Sequence, residues 1–144
     1  MKPPIRHPLF SRRFGERGVA ALEFAFVLPV LLLIAFGLID FSRVIWWHTT
    51  LNYAVQAAAR CGAISPTLCK ASNGTVSVAG YAAREAYALP VSASNFTVTS
   101  STTICNGLAG VRVQTSGTGV HFTYLFPLFA AYSGPLTASA CYPT

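Results

Sequence analysis

From Val19 to Ile39 almost every position is apolar, with Glu23 the single charge and Pro29 and Gly37 the other interruptions. At about 1.5 Å of rise per residue a helix of that length reaches roughly 31 Å, the thickness of a bilayer core. The pattern then becomes amphipathic. Trp47, Leu51, Ala54, Val55 and Ala58 fall at i, i+4, i+7, i+8 and i+11, one stripe of a helix that continues beyond the apolar run. Gly62 predicts its stop and Pro66 bars continuation, so the expected stalk runs from Val19 to about Cys61.

After a loop-like stretch from Ser65 to Gly74, Gly80 to Leu89 predicts a short second helix ended by Pro90. Arg84 and Glu85 are sequence neighbours and so are expected on different sides of that helix, solvated. From Asn95 onward the period changes to two. Phe96–Thr99, Val111–Gln114 and Gly119–Leu125 predict strands, with Asn106-Gly107 and Gly117-Thr118-Gly119 as turns between them. The expected fold class is α+β, with three or four antiparallel strands covering the stalk helix. A second apolar block, Tyr124 to Tyr132, is too short to cross a bilayer; it either closes the small domain or forms an exposed contact.

Composition narrows the function. Hydrophobic residues make up 53% of the 144 residues and charged residues 10%, which excludes general disorder and makes an ordinary soluble surface improbable. There are four acids, Glu16, Glu23, Asp40 and Glu85. With Glu16 before the apolar run, Glu23 within it and Asp40 at its edge, Glu85 alone remains beyond, so carboxylate pairs and Ser-His-Asp arrangements are excluded there. Of the formal charge of +6, Lys2, Arg6, Arg12, Arg13 and Arg17 against Glu16 place +4 before Val19. That distribution marks membrane topology, with the N-terminus cytoplasmic, and does not build a nucleic-acid face. Asp40 and Arg43, at i,i+3, with Trp46 and Trp47 just beyond, fit a charged and aromatic exit at the membrane interface.

Cys61, Cys69, Cys105 and Cys141 all lie on the side expected to be exported, where oxidation is allowed. Four cysteines permit three pairings, and the sequence alone does not choose among them; the short loop between Cys61 and Cys69 favours 61 with 69 and 105 with 141. Without a CxxC pair or a nearby histidine they do not read as zinc ligands, and no metal or other cofactor is expected.

A secretory signal peptide also has a basic start and an apolar core, and Ala35-Phe36-Gly37 offers a small-x-small cleavage site. The long leader, the long apolar run and Glu23 argue against it. The segment Arg17-Gly18-Val19-Ala20-Ala21-Leu22-Glu23-Phe24 instead resembles the type IV prepilin pattern, in which a peptidase cuts after Gly and leaves Glu at the fifth mature position. With Pro29 and Gly37-x-x-Asp40-Phe41, residues 13 to 43 are similar to the TadE-like family of the tight-adherence pilus system, minor pseudopilins. A more moderate similarity touches Val120–Pro127 and Leu136–Ala140, the family's last strands.

The resemblance implies a non-enzymatic pilus-assembly subunit in a bacterial inner membrane. Residues 1–18 would be a cytoplasmic leader, 19–43 the transmembrane helix and 44–144 an exported pilin-like domain that includes the helix extension. Gly18 and Val19 would be the processing site, and Glu23 with Phe24 the assembly site, Glu23 pairing with the α-amino group exposed at Val19. Expected partners are the lipid bilayer, a prepilin peptidase, other pilins or pseudopilins and the pilus assembly platform. The alternative is an uncleaved single-pass envelope protein with an exported binding domain.

Overall fold

The computed structural model describes residues 12–117, 119–125 and 134–144, with the side chains of 12–17 and 101–104 excepted. The leader as far as Ser11, Thr118 of the expected turn and residues 126–132 of the second apolar block lie outside the described residues. The chain divides into two compact units, Met1–Ile39 and Asp40–Thr144.

In the first unit the described backbone is entirely helical, part of α1 (Arg12–Ile64). Pro29 sits inside the helix and removes one i→i−4 hydrogen bond. The apolar side chains from Val19 to Ile39 are exposed, Phe26 by 74%. One helix is thus long and apolar enough to cross a membrane.

In the second unit the predicted stripe becomes the core. Leu51, Ala54, Val55 and Ala58 of α1 are fully buried, and Trp47 packs partly buried against the same cluster. They meet Phe96 of β1 (Phe96–Cys105), Val111 and Val113 of β2 (Leu108–Thr115), and Ala82 of α2 (Val78–Glu85). The sheet has order β1-β2-β3 with β3 at Ser139–Pro143, antiparallel throughout. The α+β layout therefore holds, with three strands. Asn106 and Gly107 turn the β1–β2 hairpin at φ +52° and +90°, the left-handed geometry that an Asn-Gly pair supplies.

Four expectations are corrected. Gly62 does not stop α1, which runs on to Ile64 before Pro66. A Cβ added at Gly62 would stand 3.2 Å from Val111 Cγ1 and 3.3 Å from the Val78 methyls, so the glycine serves close packing. The second helix starts earlier, at Val78, because Ser77 caps it by accepting the Gly80 amide at 3.1 Å. It also ends earlier, at Glu85, with Ala88 turning left-handed at φ +63° two residues before Pro90.

Gly119–Leu125 is not a strand, although Val120 and Phe122 are buried in alternation with exposed His121 and Thr123. Val120 and Leu136 exchange both backbone hydrogen bonds in an isolated bridge, and the third strand forms later, at Ser139–Pro143. Finally, Arg84 and Glu85 do pair, Nη2 to Oε1 at 2.8 Å. At the last turn of α2 two long side chains reach around the helix, and Arg84 also lies 4.5 Å from the Tyr81 ring centroid.

Candidate functional site

The Gly18–Val19 bond lies within the continuous helix α1, and a Cβ added at Gly18 would meet nothing within 4 Å. Glycine there weakens the helix by about 1 kcal/mol relative to alanine. Val19, at 63%, and Phe24, at 62%, are exposed, and Glu23 lies one turn after Val19. Four residues correspond to about 6 Å along the axis. Glu23 forms no ion pair or hydrogen bond among the described residues, so a carboxylate stands in the apolar run without a partner among them.

Where the second unit begins, Asp40 is 2% exposed. Its Oδ1 accepts from Arg43 Nη1 at 3.3 Å, the i,i+3 pair expected from the spacing, and from the Leu125 backbone amide at 3.2 Å. The Arg43 guanidinium lies 5.0 Å from the Phe122 ring centroid. Phe122 in turn makes edge-to-face contacts with Trp47, at 5.0 Å, and with Tyr124, at 4.9 Å. Trp46 is 58% exposed. The two adjacent tryptophans thus differ: Trp46 is available to an interface, while Trp47 braces the folded domain.

This cluster can neutralise a buried carboxylate and fix the chain around Leu125 to the helix. Burial of an ion is tolerated only with a partner and further hydrogen bonds, and Asp40 has both. Phe122 and the Leu125 amide are the members that sequence reasoning missed. The alternation at Val120 and Phe122 marks a buried face but carries no sign of what it meets.

The cysteines come together as Cys61 with Cys69 and Cys105 with Cys141, with Cα separations of 5.9 and 5.7 Å. The first pair ties the end of α1 to the following loop. The second joins β1 to β3, the strands on either side of β2, beside Gly110. A Cβ at Gly110 would fall 2.6 Å from Cys105 Sγ, so the crossing needs a glycine beneath it.

Away from these sites, the hydrogen bond from Arg84 to Glu85 raises the guanidinium pKa above its ordinary value, with only a surface ion pair as consequence. Among the described residues no three of His, Cys, Asp and Glu gather as a metal-binding group.

Searches against curated proteins and against solved structures returned no match. Residues 18–60 match the family model described as TadE-like protein. That range begins at Gly18 and takes in Glu23, Asp40, Arg43 and the buried stripe of α1, so over this helix, less than half of the chain, the protein is similar to TadE-like proteins.

Proposed function

We propose that the protein is a non-enzymatic minor pseudopilin that takes part in tight-adherence pilus assembly at a bacterial inner membrane. The observation that carries this reading is the TadE-like match, which opens at Gly18 and includes Glu23, a carboxylate in the apolar run with no partner among the described residues. On this reading a prepilin peptidase cuts after Gly18 and residues 19–43 span the bilayer. The N-terminus is cytoplasmic, as the flanking Lys and Arg direct, and the domain from residue 44 is periplasmic, where its paired cysteines stay oxidised.

Cleavage creates an α-amino group at Val19 that is mostly protonated near neutral pH. Glu23 meets that group on a neighbouring subunit. Two unit charges about 4 Å apart attract by roughly 4 kcal/mol at an effective dielectric of 20, comparable with the cost of holding the carboxylate in the membrane. Other pilins or pseudopilins and the assembly platform are the partners this pairing recruits.

N-terminal sequencing of the protein purified from its native membrane tests the reading. A mature chain beginning at Val19, with processing blocked by Gly18→Val, is expected; a chain beginning at Met1 or Leu38 overturns it. The continuity of α1 from Arg12 through the Gly18–Val19 bond favours the second reading, an uncleaved single-pass envelope protein with an exported binding domain.

A further inference from the structure

Within the second unit a groove of about 620 Å³ runs between α1 and β3, lined among others by Tyr53, Gln56, Arg60, Tyr81, Ala140 and Tyr142. Ala140, Cys141 and Tyr142 all line it. Successive strand residues point to opposite faces, so a groove that touches three in a row follows the strand's edge.

That edge has open hydrogen-bonding groups. The Thr144 amide donates to Ala109 O at 2.9 Å and the Thr115 amide donates to Ala138 O at 2.9 Å, both across the β2–β3 ladder. Antiparallel alternation then turns Ala140 and Tyr142 toward β2, and the N–H and C=O of Ser139 and Cys141 away from it. Among the described residues nothing pairs with these four outward groups. Pro143, which has no N–H, closes the edge at its far end and limits any added strand to the length between Ser139 and Cys141.

Charge identifies the occupant. From Asp40 onward the chain carries five cations, Arg43, Arg60, Lys70, Arg84 and Arg112, against two acids, Asp40 and Glu85. Both acids are taken by ion pairs within the chain, with Arg43 and Arg84. Arg60 is the one charged residue lining the groove, is exposed, and has no ion pair or hydrogen bond among the described residues. The second unit of another copy therefore brings excess positive charge, with both of its side-chain carboxylates already in ion pairs.

We infer that the β3 edge and Arg60 together bind an extended, acidic segment of a different protein chain, which adds a strand beside β3 and sets an Asp or Glu against Arg60. Backbone pairing at Ser139 and Cys141 supplies register and the tyrosines supply apolar contact, while the carboxylate supplies selectivity. The inference rests on the pilus-subunit reading for where the partner is met.

The test places the photo-crosslinker p-benzoylphenylalanine at Tyr142 or Gln56 of the full chain in cells that assemble the pilus, with Thr99, on the opposite edge strand, as reference. Adducts from Tyr142 and Gln56 to a different chain are expected, with an Asp or Glu in the cross-linked peptide, and none to that chain from Thr99. Charge reversal by Arg60→Glu lowers their yield about tenfold or more, whereas Arg60→Lys retains most of it and Arg112→Glu leaves it unchanged. Paired cysteines in Arg60→Glu, read by mass spectrometry, establish that it folds. Adducts to second copies or lipid only, no adduct, or a yield indifferent to Arg60→Glu overturn the inference. A chain mature at Val19 without the adduct sinks the inference alone; an uncleaved chain with the Arg60-dependent adduct sinks the pilus reading alone.

Discussion

The carboxylate of Asp40 and the backbone amide of Leu125, 85 residues apart in sequence, meet at 3.2 Å. Asp40 belongs to the first turn of the folded unit and Leu125 to the irregular stretch after the Val120 bridge. One buried side chain thereby satisfies an amide that a sheet ladder would otherwise have to accommodate.

Asp40→Ala is expected to destabilise the folded unit by about 3 kcal/mol, since it strands the Leu125 amide and removes the partner of Arg43. Asp40→Asn, which keeps an acceptor, is expected to cost about half as much. Denaturant unfolding of the detergent-solubilised chain, followed by tryptophan fluorescence from Trp47, measures both. Equal losses would mean that the carboxylate charge, and not the retained shape or acceptor, carries the whole effect.

Two of the packed glycines, Gly110 and Gly62, should respond differently. At Gly110 an alanine methyl would fall 2.6 Å from Cys105 Sγ, within the disulfide crossing, and Gly110→Ala is expected to leave Cys105 and Cys141 open to alkylation without reduction. At Gly62 the nearest atoms are side-chain methyls at 3.2 and 3.3 Å, which can shift. The helix propensity gained there, about 1 kcal/mol, offsets the crowding, and Gly62→Ala is expected to change stability by less than about 1 kcal/mol.

The disulfides should also be unequal. Their sequence separations are 8 for Cys61–Cys69 and 36 for Cys105–Cys141. Loop-closure entropy then assigns about 2.5 and about 4 kcal/mol respectively. Paired Cys→Ala variants compared by denaturant midpoint should rank in that order; the reverse order would show that local packing outweighs the chain-entropy effect.

Glu23→Gln keeps the shape and hydrogen-bonding capacity of the side chain while deleting its charge. Insertion and cleavage are expected to remain normal, because loss of the charge favours residence in lipid, while assembled pili fall at least tenfold at equal protein level. Glu23→Ala should behave alike. Normal pili with both variants would reduce Glu23 to a recognition residue or one that reaches toward the headgroups.

What the sequence by itself determined was set by local rules. The apolar length of Val19–Ile39 and the stripe at Leu51, Ala54, Val55 and Ala58 depend on helical geometry, and the Asn106-Gly107 hairpin on backbone φ. Gly18 and Glu23 were singled out by a local pattern, a glycine with a glutamate five residues on at the head of an apolar run. Asp40 and Arg43 were legible as a pair because i,i+3 positions lie within one helical turn. What only the tertiary structure decided joins positions remote in the chain. That Trp47 turns inward and Trp46 does not follows from Phe122; that Gly62 packs instead of terminating follows from Val111 and Val78. The third strand forms at Ser139–Pro143 and not at Gly119–Leu125, although both stretches can extend, because pairing depends on which backbone groups find partners. Local periodicity states which side of an element is apolar; it carries no record of which distant side chain will cover that side.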